Sequence, residues 1–595
     1  MKKTKNFNQS WDLSELYSGV NDPKIFKDLA ALEKRAENFE KEHKGKVAAY
    51  GLPRTLAAVK EFGKIQEKLR LPVAFAELSF AVDGANVQIN SLNQKVQVQC
   101  SEIRNHIIFF PLELGKNKNL AEFAKSKKAR PFNILFKDLL ENRKYQLSFA
   151  EEKIINIKAT TSSAGWIRLH EKLESSLRIK LKNSFGEIKE LTLEEALNFS
   201  HSPKRQERIA AAQGISNALK GNLEVSSHIY NMILLNKARE DKLRNWPYPE
   251  SQRHAANSLS KKSVDALAAA TREHFGLVPR YYKLKRKLLK LDRLFDYDRY
   301  APLPQKSESK YTFEQAVKVV RAAFHAFDPE FEKYYLDILA AGHVDVVPRK
   351  GKRAGAFCAH MPHPHLPYVL LNHAGSGRDV ETLAHEMGHA VHDCFAEKNP
   401  FLVAHPPLAL AETASVFGEM LVFEYLLASA KTKAEQIALI AAKIDIIFAT
   451  IPRQISMFFF ERKVHDFVRQ NGEIPAEKIN EFWMQIQREM FGDSVTITEN
   501  YSVWWSYIIH FFEVPFYTYA YAFGNLLVFS LYEQYKEGAP GFVENYKTLL
   551  SLGGAKTPAQ ALQTFGFDIE RKEFWQSGFK VLEKLIEQLE SLCYH

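Results

Sequence analysis

Residues 382–395, TLAHEMGHAVHDCF, set two histidines and a glutamate into an otherwise apolar helical run, and no other stretch constrains the fold as strongly. On an α-helix, residues four apart differ by about 40° in azimuth and roughly 6 Å in rise, so His385 and His389 point to one side. Leu383, Ala384, Met387, Ala390, Val391 and Cys394 surround that polar stripe with apolar surface, which predicts a buried helix. Buried imidazoles and carboxylates need partners. One metal ion satisfies both imidazoles, and HExxH on a helix is a zinc-binding pattern. Glu386 lies beside the stripe rather than on it, where its carboxylate can take a proton from water at the metal.

Two histidines leave zinc short of a ligand. The extended pattern HExxHxxGxxH would need Gly at 392 and His at 395, and the chain has His392 and Phe395 there, so that arrangement is excluded. His392 is two turns from His385, about 10 Å along the helix, too far to share its ion, and is read as a supporting residue. Glu397 is too near the end of the same helix to fold back. In PLALAETASVFGEMLVFEYLL (407–427), Glu412 sits among Ala and Leu, a costly position for an unpaired carboxylate. Glu412 is therefore the expected third ligand of one zinc ion per chain. Glu419, on the same face two turns on, is expected to support the site or to face solvent.

The rest of the 595-residue chain is read around this helix. A composition that is 46% hydrophobic and 25% charged is that of a soluble globular protein. The basic residues Lys2, Lys3 and Lys5 are followed by FNQSWDLSEL, not by an apolar segment, so no secretory signal is expected. No apolar run is long enough for a membrane span. Cys100, Cys358, Cys394 and Cys593 have no paired spacing, which excludes a disulfide framework and fits a reducing cytoplasm. The net charge of +11 identifies no partner by itself, and none is expected among nucleic acids. In KLKRKLLKLDR (283–293), Leu284, Leu288 and Leu291 recur at helical spacing, so the Lys and Arg residues read as a solvated helix face.

Amphipathic helices dominate the N-terminal third. Pro23 follows Asp22 as a first helical residue after a cap, and Ile25, Leu29, Leu32, Ala36 and Phe39 form an apolar stripe. Alternating residues in 176–191 suggest a small hairpin with a Gly-containing turn. The texture divides the chain into an N-terminal helical region, 1–191, and a catalytic region, 192–595. At 343–380, Gly, Pro and His punctuate short β-like runs. A strand from Tyr368 to Leu371, just before the HExxH helix, is expected to pair with an extended peptide, with Tyr368 and Leu370 contacting substrate. The aromatic segment 504–527 carries His510, Tyr517, Tyr519 and Tyr521, whose ring N–H and phenol groups can donate to a developing oxyanion.

An ordered series of motifs resembles the oligoendopeptidase F branch of the thimet oligopeptidase family of zinc metallopeptidases. The series runs from SWDLSELY (10–17) through TTSSAGWIRLHEKL (160–173), GKRAGAFC (351–358) and PYVLLNHAGSGRDVETLAHEMGHAVH (367–392) to LAETAS (410–415), IPRQISMFFFERKVH (451–465), WSYIIHF (505–511) and YTYAYAFG (517–524). The resemblance implies a mostly helical, two-lobed fold with a deep substrate channel and a small β element beside the HExxH helix. It implies zinc held by His385, His389 and Glu412, with Glu386 as base and peptides rather than folded proteins as substrates. It also assigns transition-state stabilisation to His510 and one tyrosine of the 517–521 cluster, which leaves Tyr517, Tyr519 and Tyr521 open, with Tyr521 also a candidate substrate contact. The rival readings are a zinc carboxypeptidase on a related helical scaffold and a basic helical binding protein with a structural metal.

Overall fold

A computed structural model describes residues 9–182, 188–303 and 310–594, and over these the chain is mostly helical. The first helix, Pro23–His43, starts as its sequence predicts: the Asp22 carboxylate accepts from the Lys24 N–H, and Ile25, Leu29, Leu32, Ala36 and Phe39 are buried along one face. The chain forms two compact units, each interleaved in sequence. The first comprises 1–144, 307–429 and 534–567, and the second 145–306, 430–533 and 568–595. No boundary falls at 191/192.

The first unit contains the HExxH helix, Gly377–Ala396. Its core joins the N-terminal helices to a three-stranded sheet through residues such as Leu29, Phe75, Phe110, Tyr368 and Leu370. The second unit has its own aromatic core, with Trp483, Trp505 and Phe511 at its centre. Here the basic helix departs from expectation. It spans Leu277–Leu288, and Lys285 is buried, with Nζ 2.6 Å from the Arg299 carbonyl and 2.7 Å from the Asp445 carboxylate. A buried ammonium is tolerated because both contacts are to oxygen acceptors. No helix among the described residues is long and apolar enough to cross a membrane.

Strands are few. β1 (Ile179–Lys182) and β2 (Ile188–Leu191) pair antiparallel, with Ile179 opposite Leu191, and the expected Gly-containing turn lies outside the described residues. β3 (Val344–Asp345), β4 (Phe357–Ala359) and β5 (Tyr368–Leu370) form the sheet beside the HExxH helix, in the order β3-β5-β4. β5 is the middle strand, parallel to β3 and antiparallel to β4. Its backbone has no free edge, and Tyr368 and Leu370 are completely buried. The expected pairing of a peptide with Tyr368 and Leu370 is therefore corrected: both side chains belong to the core, and β4 is the neighbouring edge strand.

Candidate metal centre

The HExxH helix starts at a reciprocal cap in which Asp379 N–H bonds to Ser376 Oγ and Ser376 N–H to the Asp379 carboxylate. Its middle crosses the Thr413–Ser429 helix at backbone distance. A Cβ on Gly388 would stand 2.5 Å from the Ala414 carbonyl oxygen and 2.6 Å from Ser415 Cα, and one on Gly418 would stand 3.1 Å from the Ala384 carbonyl oxygen. Two glycines facing in opposite directions thus let the helices touch. Behind the crossing, the Phe542–Ser551 helix packs on the HExxH helix, and Tyr546 donates from its hydroxyl to the Thr413 carbonyl at 2.7 Å.

This contact brings Glu412 to the two histidines. Glu412 occupies the break between the short Leu408–Ala411 helix and the Thr413–Ser429 helix, and its Oε2 accepts from Ser415 Oγ at 2.7 Å. Nε2 of His385 lies 3.2 Å from Nε2 of His389 and 3.4 Å from Glu412 Oε2, and the third edge, His389 to Glu412, is 3.6 Å. A tetrahedral ion with ligand bonds of about 2.0–2.1 Å has donor-to-donor edges of roughly 3.3 Å. The triangle fits such an ion without rearrangement.

The protonation pattern fits as well. Nδ1 of His385 is 2.5 Å from Glu419 Oε1; the carboxylate can only accept, so Nδ1 carries the proton and Nε2 presents its lone pair. Burial opposes charge on His385, but the Glu419 hydrogen bond and the carboxylates of Glu419, Glu412 and Glu386 outweigh it and raise its pKa to about 9. The field that favours a proton here equally favours a metal cation. Desolvation holds His389 below the ordinary imidazole range.

Glu386 is 7% exposed and lines a cavity of about 300 Å³ with His389, Cys358 and Phe357. Burial pushes its carboxyl up to about 7, with Glu412 and Glu419 adding to the rise and His385 and the Cys358 N–H opposing it. A carboxyl near neutrality can both accept and return a proton. His392 is buried, its pKa lowered to about 4 by burial first, and it hydrogen-bonds to the Leu550 backbone, away from the donor triangle.

The aromatic candidates lie in the second unit. His510 Nε2 is 3.1 Å from the Tyr521 hydroxyl, and the Tyr517 ring stacks on His510 at 5.8 Å. Burial, with Arg453 nearby, lowers the His510 pKa. Tyr519 departs from expectation: it is completely buried, and its hydroxyl accepts from Asn257 Nδ2 at 2.8 Å. Tyr519 and Tyr521 open the Tyr519–Lys536 helix, and Tyr521, four residues after Tyr517, meets it beside His510 while Tyr519 turns into the core, so Tyr519 is corrected to a packing residue. Sequence reasoning left open whether Glu419 faces solvent. The signal lies in its i+7 spacing from Glu412, which keeps both carboxylates on one helix face.

Known proteins resemble the chain along most of its length. The profile of Peptidase family M3 matches residues 198–581, and that of Oligopeptidase F matches residues 115–179. An oligoendopeptidase F homologue of Borreliella burgdorferi is 27% identical, with the alignment covering 99% of this chain and 98% of the relative. In fold, the chain is similar to a crystallised protein of Chlamydophila abortus, with TM-score 0.87, 24% identity and 98% of each chain covered. It is also similar to oligoendopeptidase-F of Enterococcus faecium, with TM-score 0.70, 20% identity, and 96% of this chain and 99% of that one covered.

Proposed function

The chain belongs to peptidase family M3, and from that premise we propose that this oligopeptidase is a zinc enzyme cleaving internal bonds of short, unstructured peptides. It is a metallo-endopeptidase; the proposal concerns its metal, residues and substrates. His385, His389 and Glu412 would hold one zinc ion per chain, and the observation that carries this is their donor triangle of 3.2, 3.4 and 3.6 Å. When bound, zinc supplies a Lewis acid that lowers the pKa of water and polarises a carbonyl.

The chain's own residues do the rest. Glu386 takes a proton from the attacking water and passes it to the nitrogen of the leaving amine, a double role suited to a carboxyl with a pKa of about 7. Glu419 keeps the proton on Nδ1 of His385 and so holds that ring in its ligating tautomer. The peptide would lie along β4, an edge strand whose Cys358 N–H reaches Glu386 and whose Phe357 and Cys358 line the cavity. Recognition through main-chain hydrogen bonds gives broad sequence tolerance. A part for His510 and a tyrosine in stabilising the transition state rests on the family resemblance of 505–524 and on the His510–Tyr521 contact.

A cytoplasmic location is supported by the free thiols Cys100, Cys358, Cys394 and Cys593. The test is metal analysis joined to mass spectrometry of products from a mixed peptide library. Internal cleavage by protein holding one zinc is expected. Trimming by single terminal residues, or undiminished cleavage after zinc removal, overturns the proposal.

A further inference from the structure

One helical turn past His389, the HExxH helix carries a second cluster. Asp393 Oδ1 lies 3.2 Å from His360 Nδ1, and the two side chains are only 10% and 18% exposed. That contact is an ion pair with poor hydrogen-bond alignment, and the buried His360 Nδ1 has no well-aligned hydrogen-bond partner. His405 completes the group: one donor atom from each of His360, Asp393 and His405 lies within 4.8 Å of the other two. Other contacts hold two of the three in place. The Arg70 guanidinium donates to the His360 carbonyl at 3.1 Å, and the Cys358 thiol donates to the second Asp393 oxygen at 3.9 Å.

We propose that His360, Asp393 and His405 form a second metal site, for a divalent transition ion of the zinc class, separate from the HExxH site. Two imidazoles and one carboxylate suit zinc, cobalt or nickel and not the all-oxygen preference of magnesium or calcium. An imidazole nitrogen poorly aligned for a hydrogen bond yet 3.2 Å from a carboxylate oxygen is the arrangement two ligands adopt around a shared ion. The two donor sets have no residue in common, so no ligand bridges them. The second site binds more weakly than the first, because His405 is exposed and must be drawn out of water to ligate.

The location implies a consequence for turnover. All three ligands line the same cavity as Glu386 and His389. An ion there adds positive charge beside the base and occupies space next to it, so excess metal slows peptide cleavage reversibly.

The experiment is a titration of the chelator-stripped full-length chain with Co²⁺, followed by absorption, with Zn²⁺ counted after dialysis. The wild type takes up two ions per chain. Asp393→Asn and His405→Ala each lose the weaker ion, or bind it at least tenfold more weakly, and retain the tight one. Glu412→Ala retains the weaker ion, so failure of the first site reads separately from failure of the second. Circular dichroism and thermal melts verify that the variants are folded, and two different substitutions guard against a single misfolded one. Two ions persisting in both folded variants, or a single ion in the wild type up to millimolar metal, overturns the proposal.

Discussion

Glu419 Oε1 and His385 Nδ1 are 2.5 Å apart, on the side of the imidazole opposite the nitrogen that faces His389 and Glu412. The carboxylate therefore sets which nitrogen is free to ligate, without ligating itself. Glu412→Ala should abolish zinc retention at the HExxH site, whereas Glu419→Ala should weaken zinc affinity there by about 10–100-fold, the usual range for losing an orienting partner. Competition against a chelator of known affinity measures both. Equal losses would place Glu419 among the ligands.

Glu386→Gln removes the proton acceptor and keeps the shape. It should bind zinc as the wild type does and lose at least about a hundredfold in kcat. Metal content and turnover on the same preparation decide it, since near-normal turnover in the metallated variant would move the base elsewhere.

The two classes of tyrosine should separate by readout. Tyr519→Phe leaves Asn257 Nδ2 without its buried acceptor and should cost about 1–3 kcal/mol of stability with kcat little changed. His510→Ala and Tyr521→Phe should lower kcat more than they raise KM. A pure rise in KM for the latter pair would assign them to ground-state binding.

Gly388→Ala should destabilise the first unit by about 1–3 kcal/mol, because its methyl group would meet backbone at 2.5 and 2.6 Å and not a flexible side chain. The helices must part to admit it, which also separates Glu412 from the histidines. Thermal melting together with zinc retention tests this, and a variant with native stability and full zinc would refute the close crossing.

Glu461 gives a pH test away from the metal. It is completely buried and accepts from the Phe516 N–H at 2.7 Å. Burial raises its pKa from 4.5 to about 8 against the Phe516 hydrogen bond. Between those values the folded chain holds a proton that the unfolded chain releases, so this group's contribution to stability is full below about pH 4.5 and falls as pH rises through 8. Glu461→Gln keeps the acceptor and removes the titration. Denaturant midpoints at pH 5.5 and 8 should show a smaller pH dependence in the variant, and unchanged dependence would mean that Glu461 is ionised in the native state.

The HExxH helix was legible because helical period alone aligns His385 with His389, and Glu412 because an acid among Ala and Leu demands a partner. Both signals are local. What escaped depends on tertiary placement. A run of hydrophobic residues at 368–371 reads as a strand but carries no mark of being central, so Tyr368 and Leu370 were misread as substrate contacts. Lys285 looks like its exposed neighbours until Asp445 and the Arg299 carbonyl come to it. In the aromatic segment, helical spacing brings Tyr521 to Tyr517 and turns Tyr519 away, yet sequence does not say which side is the core. His360 and His405 lie outside the HExxH helix that carries Asp393, and no spacing rule connects them.

The brace from Tyr546 to Thr413 has a consequence for biosynthesis. Residues 385, 389 and 412 leave the ribosome close together, and closing so short a segment costs little chain entropy. The Phe542–Ser551 helix that backs the HExxH helix emerges more than a hundred residues later. A nascent chain therefore carries every donor before it can hold them at the spacing an ion requires. The brace on the HExxH helix is thus added only once residues up to 551 have been made.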